Sequence, residues 1–134
     1  MNKMNKKMEY ALMALRLMTQ RPPTALTTAK EVSDQMHISF ESAARVLQSL
    51  SARGLLKAEY GVGGGYFLAR PLASVSLHDL SEMLEGSTVL TKCLTNDEVC
   101  ETSLTCNITS PITVLNKKIQ EFYKSVSLEE VLHV

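Results

Sequence analysis

The chain has no apolar run long enough to cross a bilayer. Its start, Met1-Asn-Lys-Met-Asn-Lys-Lys-Met-Glu9, lacks the apolar stretch and small-residue cleavage site of a secretory signal. A cytoplasmic protein with no membrane partner is therefore expected. Cysteine is missing everywhere except one stretch, which holds all three: Cys93, Cys100 and Cys106. In a reducing compartment an odd number of thiols argues against a structural disulfide framework and for metal or redox chemistry. His37, His78 and His133 are scattered, and no paired acid–base constellation supports catalysis, so an enzyme is not expected. Internal repeats and low-complexity tracts are absent as well.

An excess of charge of either sign is also lacking, with 14 basic and 14 acidic side chains. The balance conceals a division. Residues 1–70 carry ten basic and five acidic side chains, a net of +5, whereas residues 71–134 carry four and nine, a net of −5. One half suits a polyanion and the other repels it. With 134 residues, 45% of them hydrophobic and 21% charged, the chain is long enough for one domain with a respectable core.

Met4, Met8, Ala11, Leu12, Leu15 and Met18 or Thr19 recur at helical spacing, which predicts a helix over 4–20, ended by Arg21-Pro22-Pro23. Glu9 lies in its first half, either a solvated acid or a carboxylate pointed at something. Thr28-Ala-Lys-Glu31 has the form of a capping box opening a short helix over 29–36. Ser39 then suits the N-cap of a helix over 40–53, stopped by Gly54. Phe40, Ala43, Val46 or Leu47, and Leu50 form its expected inward face, and Glu41, Ser42, Arg45, Gln48 and Ser49 the outward one. Two helices joined by a tight turn, the second with short polar and basic side chains outside, describe a helix-turn-helix, although any helical hairpin shares the outline.

Strand-like Leu55–Tyr60 and Tyr66–Arg70, bridged by Gly61-Val-Gly-Gly-Gly65, place a β-hairpin directly after the second helix, in the position of the wing of a winged helix. A nucleotide-binding loop is not indicated, since no Lys-Ser/Thr and no strand-to-helix context follow. Ser76-Leu-His-Asp79 caps a helix ending near Gly86. Ser110-Pro111 reads as an N-cap followed by proline, launching a helix over 112–125 with Ile112, Leu115, Ile119, Phe122 and Tyr123 in one stripe. Such a stripe commonly seeks a second copy of itself, and DNA readers of this type work as two-fold dimers. Ser127-Leu-Glu-Glu130 caps a last short helix.

On DNA, Thr28 and Ser39 at helix starts suit phosphates. Glu41, Ser42 and Arg45 are placed to meet base edges, and Tyr60, Gly63, Gly64 and Gly65 would lie at the minor groove. The cysteine stretch has little periodicity, and its intervening Thr95, Asn96, Asp97, Glu98, Glu101, Thr102 and Ser103 do not look like buried core. Three readings compete: metal or cluster ligation, zinc included; a redox-sensing thiol pair; and small hydrophobes that happen to be neighbours, against which those polar residues count. Zinc sites favour cysteines two to four residues apart, whereas the gaps here hold six and five residues. A metal or cluster carrier with no DNA role is the reading from another class.

Met8-Glu-Tyr-Ala-Leu12, Gly54-Leu-Leu56, Gly61-Val-Gly-Gly-Gly-Tyr-Phe-Leu-Ala-Arg-Pro71 and the three cysteines after Leu80–Glu85 together resemble the Rrf-type family of bacterial winged-helix transcriptional regulators. The resemblance runs nearly end to end. It implies a mainly α fold, a winged helix-turn-helix with a two-stranded wing and a long C-terminal dimerisation helix. Residues 1–75 would form the DNA-binding domain and 76–134 the cluster-binding loop and dimerisation helices. It further implies a homodimer on operator DNA that senses redox state, nitric oxide or iron status. The sensor would be an iron–sulfur cluster, 4Fe-4S by analogy rather than 2Fe-2S, held by Cys93, Cys100, Cys106 and a fourth ligand. In some members that ligand is a histidine just after the third cysteine; here Asn107-Ile-Thr-Ser110 follows Cys106. In others it is a carboxylate from the first helix, a position matched by Glu9 of the partner subunit. The chain departs from the family pattern in its six-residue first gap, in Met13 where one member has histidine, and in Tyr60 where a relative has arginine.

Overall fold

A computed structural model describes residues 4–85 and 107–133. The first helix, α1 (Lys6–Thr19), starts where the Asn5 side chain accepts the Met8 N–H at 3.0 Å. The periodic pattern begins at Met4, but the cap sits at Asn5 and the helix starts after it. Met8, Ala11, Leu15 and Met18 turn inward, as their spacing predicts.

Helix α2 (Ala29–Met36) opens on the complete capping box: the Thr28 hydroxyl accepts the Glu31 N–H at 3.1 Å, and the Glu31 carboxylate accepts the Thr28 N–H at 3.2 Å. His37 ends α2 in the left-handed region, φ 55°. Helix α3 (Phe40–Ala52) follows, with the Ser39 hydroxyl accepting the Ser42 N–H at 3.1 Å, and Gly54 at φ 84° turns the chain out of it. Ala43, Val46, Leu47 and Leu50 bury the inner face of α3. Phe40 does not join them; it is 59% exposed. Although in register with Ala43 and Leu47, it sits in the first turn, beyond the edge of the core.

Strands β1 (Leu56–Glu59) and β2 (Gly65–Leu68) pair antiparallel, from Leu56 opposite Leu68 to Glu59 opposite Gly65. The hairpin is not free-standing. Thr27 and Tyr66 exchange both backbone hydrogen bonds, at 2.9 and 2.8 Å, which ties β2 to the segment leading into α2. A 3-10 turn at Leu72–Ser74 leads to α4 (Leu77–Glu85), where Ser76 and Asp79 exchange side-chain-to-backbone bonds at 3.0 Å each.

Helix α5 (Thr109–Ser125) begins before the expected Ser110 cap and places Pro111 third in the helix, where its missing N–H still costs no intrahelical bond. Helix α6 (Leu128–Leu132), capped by Ser127, returns to the N-terminal half. Leu77 N–H donates to Val126 and Leu128 N–H to the Val75 carbonyl, both at 2.8 Å, and the Arg16 guanidinium donates to the Leu132 carbonyl. Leu128 and Leu132 thereby enter the same core as Leu15, Leu47, Leu50, Leu55 and Leu80. No helix among the described residues is long and apolar enough to cross a membrane.

Candidate nucleic-acid interface

The turn between α2 and α3 is fixed by its own side chains. The Ser33 hydroxyl donates to the Ile38 carbonyl at 2.6 Å, and the Ser39 hydroxyl donates to that of Ser42 at 2.8 Å. Ser39 and Ser42 therefore stand together at the start of α3, one capping it and the other half-buried beside it. Glu41, Arg45 and Gln48 point outward, and Arg45 donates to Glu41 at 2.5 Å across one helical turn. Both side chains of that pair are about three-quarters exposed, so it is a solvated contact readily exchanged for another. Phe40 adds an exposed aromatic ring at the same end, a feature that periodicity alone assigns to the core.

Thr28 sits at the start of α2 with its hydroxyl committed to the cap. The Arg21 guanidinium bonds the Glu31 carboxylate at 2.5 Å and also reaches the Thr27 hydroxyl at 3.3 Å. This hydrogen bond from Arg21 holds the Glu31 carboxyl below the usual carboxylate range; partial burial opposes it, and the Thr28 N–H assists.

The wing tip is bare. Tyr60 is 94% exposed and Val62 fully so. Gly61 and Gly63 have φ of 101° and 77°, a region costly for side chains with a Cβ. Gly64 and Gly65 are demanded by packing instead: a Cβ on Gly64 would lie 2.3 Å from the Glu59 carbonyl, and one on Gly65 would lie 3.0 Å from that of Thr27. The glycine run is what lets the hairpin turn this sharply and press onto the Thr27 segment.

Between the first turns of α1 and the outer face of α3 lies a cleft of about 380 Å³, bordered by Lys6, Lys7 and Tyr10 on one side and Ser42, Arg45 and Ser49 on the other. Glu9 does not line it; half-exposed, it holds its carboxylate 3.2 Å from the ammonium of Lys6. Cys93, Cys100 and Cys106 lie outside the described residues, as does the start of the segment that carries them. Among the described residues, no three His, Cys, Asp or Glu side chains gather as a ligand set. His37 and His133 close helices at the surface, and His78 is buried on α4 with Nε2 3.0 Å from Glu82.

Residues 4–134 match the Rrf2 family, described as an iron-dependent transcriptional regulator. The chain belongs to the Rrf2 family. The family is one of transcriptional regulators and not of enzymes. Among curated relatives, the HTH-type transcriptional regulator YwgB of Bacillus subtilis is 31% identical over 84 residues, which cover 63% of this chain. The aligned stretch spans 54% of YwgB, about half its length. Among solved structures, CymR, the global cysteine regulator of B. subtilis, superposes with TM-score 0.74 at 22% identity, covering 99% of this chain and 98% of CymR. IscR of T. potens does so with TM-score 0.69 at 23% identity, covering 98% and 87%. These two likenesses establish the winged-helix fold of this Rrf2 chain, with β1 and β2 as its two-stranded wing.

Proposed function

We propose that this Rrf2-family regulator grips operator DNA as a homodimer, with α3 of each copy in a major groove and the wing along the neighbouring minor groove. The observation that carries this reading is the outer face of α3: Glu41, Ser42 and Arg45 are reachable at the end of a rigidly capped helix, and the exposed Tyr60 projects from the wing in the same half of the chain. Arg45 is the base reader, suited to guanine. Glu41 and Ser42 take neighbouring base edges, and Phe40 supplies an apolar face for a thymine methyl. Backbone phosphates would meet Thr28 and Ser39 through the N–H groups of the helix starts, because both hydroxyls are occupied in capping. Gly63, Gly64 and Gly65 would let the wing backbone run close to the duplex. Residues 1–75 form the reading unit in this account and 76–134 the sensing and dimerisation part.

The sensing part would hold an iron–sulfur cluster on Cys93, Cys100, Cys106 and Glu9 of the partner subunit, with four irons favoured over two. Three thiolates and one carboxylate fit such a group by donor chemistry, and the exposed Lys6 contact of Glu9 is weak enough to be exchanged. A cluster bound there would supply iron that reacts with oxygen or nitric oxide and is lost when iron is scarce. The chain's own contribution is α4, which packs on α1 and α3 and ends at Glu85, where the cysteine-bearing segment begins. A change in that segment would act on α4, and through α4 on the seating of α3.

Replacing Arg45 by alanine should weaken operator binding by about 1 to 3 kcal/mol and relax specificity at one base pair of each half-site. Titration of operator duplexes altered one pair at a time measures this. Equal loss on every duplex would remove Arg45 as the base reader.

A further inference from the structure

We infer that the cleft between α1 and α3 receives a backbone phosphate of the bound duplex, with Lys6 and Lys7 as its principal holders. The inference rests on the DNA reading above and adds a contact surface from an element outside the helix-turn-helix.

Position supplies the first argument. One wall of the cleft is the face of α3 bearing Ser42, Arg45 and Ser49, and the other is the start of α1. A duplex that takes this face of α3 into its major groove presents the strand flanking that groove to the facing wall. The concavity beside the reading helix is thus shaped for a ridge, and the ridge available is sugar and phosphate.

Charge supplies the second. Three cations, Lys6, Lys7 and Arg45, border one cleft of about 380 Å³. Lys6 and Arg45 lean on Glu9 and Glu41 in pairs open to solvent, which exchange for a phosphate at little cost. Lys7 has no ion pair among the described residues. Tyr10, Ser42 and Ser49 bring hydroxyl groups to the same space.

Beyond the solvated Lys6–Glu9 pair, helix stability gives no competing reason for this placement. Cations in the first turn oppose the helix dipole, so Lys6 and Lys7 weaken α1 in isolation. An anion brought against them reverses that sign.

The test uses the full-length wild type and a Lys6→Gln, Lys7→Gln double variant. Both are titrated across a salt series against two duplexes: one selected by the wild type from random-sequence DNA, and a scrambled duplex of the same length. Each phosphate contact contributes about 0.9 to the slope of log affinity against log salt. The double variant is expected to lose about one unit of slope and to bind both duplexes more weakly by the same factor, so that the ratio between them is preserved. Thermal melting should be unchanged or slightly raised. An unaltered slope and affinity overturn the inference while leaving the α3 reading intact. A collapse of the ratio between the duplexes also overturns it, because the lysines would then be reading bases. A wild type that shows no salt-dependent preference for its selected duplex overturns both.

Discussion

Arg21 leaves the end of α1 and bonds the Glu31 carboxylate at 2.5 Å, which keeps that carboxyl ionised at lower pH than an unfolded one. A depressed folded value means that the contribution to stability is complete above the ordinary value of 4.5 and is lost as pH falls below it, through the lowered folded value. Melting temperature from about pH 6 to about pH 3 should therefore fall less steeply in Glu31→Gln than in wild type; equal slopes would contradict the assignment. Gly64 sets a steric limit of another kind. Alanine there brings Cβ against the Glu59 carbonyl, a backbone atom that moves only if the hairpin opens. Gly64→Ala should cost about 1 to 3 kcal/mol in denaturant unfolding, whereas the bare tip position Val62→Ala should cost nothing measurable. Capping residues are the best-read class in this sequence, because Thr28 with Glu31 and Ser39 with Ser42 satisfy needs three residues away. Phe40 shows where that legibility ends: its helical phase is inward, yet the core stops short of the first turn of α3, and spacing along one helix cannot reveal where a neighbour ends.

At the scale of elements, α3 is held from both ends and from behind. Leu47 is fully buried on its inner face, and Leu47→Ala should lower stability by about 2 to 5 kcal/mol. Ser39→Ala should cost about 1 kcal/mol by freeing the Ser42 N–H; chemical denaturation of the two variants orders these effects, and a larger loss at Ser39 would contradict the picture. The six α-helices of the described residues and the hairpin are legible from period, cap and breaker signals, with boundaries shifted at α1, where the Asn5 cap follows the expected start at Met4, and at α5, where Ile108 precedes the expected Ser110 cap. The Thr27–Tyr66 bridge and the return of α6 were not legible. Both depend on backbone pairing between segments distant in sequence, and neither leaves a periodic trace in the residues that make it.

For the whole molecule, the outer surface of α5 sets the expectation of assembly. Ile108, Leu115 and Phe122 recur at seven-residue intervals and are each about half exposed or more, with half-buried Ile112 and Ile119 between them. An apolar seam at this period is the pattern with which helices pair. Sedimentation should give about twice the 14.8 kDa chain mass, and Leu115→Glu with Phe122→Glu should return the mass to that of one chain; a wild-type monomer would contradict the dimer. The outward placement of Ser39, Glu41 and Arg45, which the proposal sets against DNA, was legible from helical phase and the cap. The cleft formed with α1 was not, because it joins residues nearly forty positions apart. The thiols stand apart from all of this, lying outside the described residues, and the sensing claim rests on their chemistry and on the iron-dependent family to which the chain belongs. Iron and acid-labile sulfide counted in protein purified without oxygen test that claim most directly. The account predicts a brown protein with roughly four of each per chain; a colourless protein containing neither would contradict it.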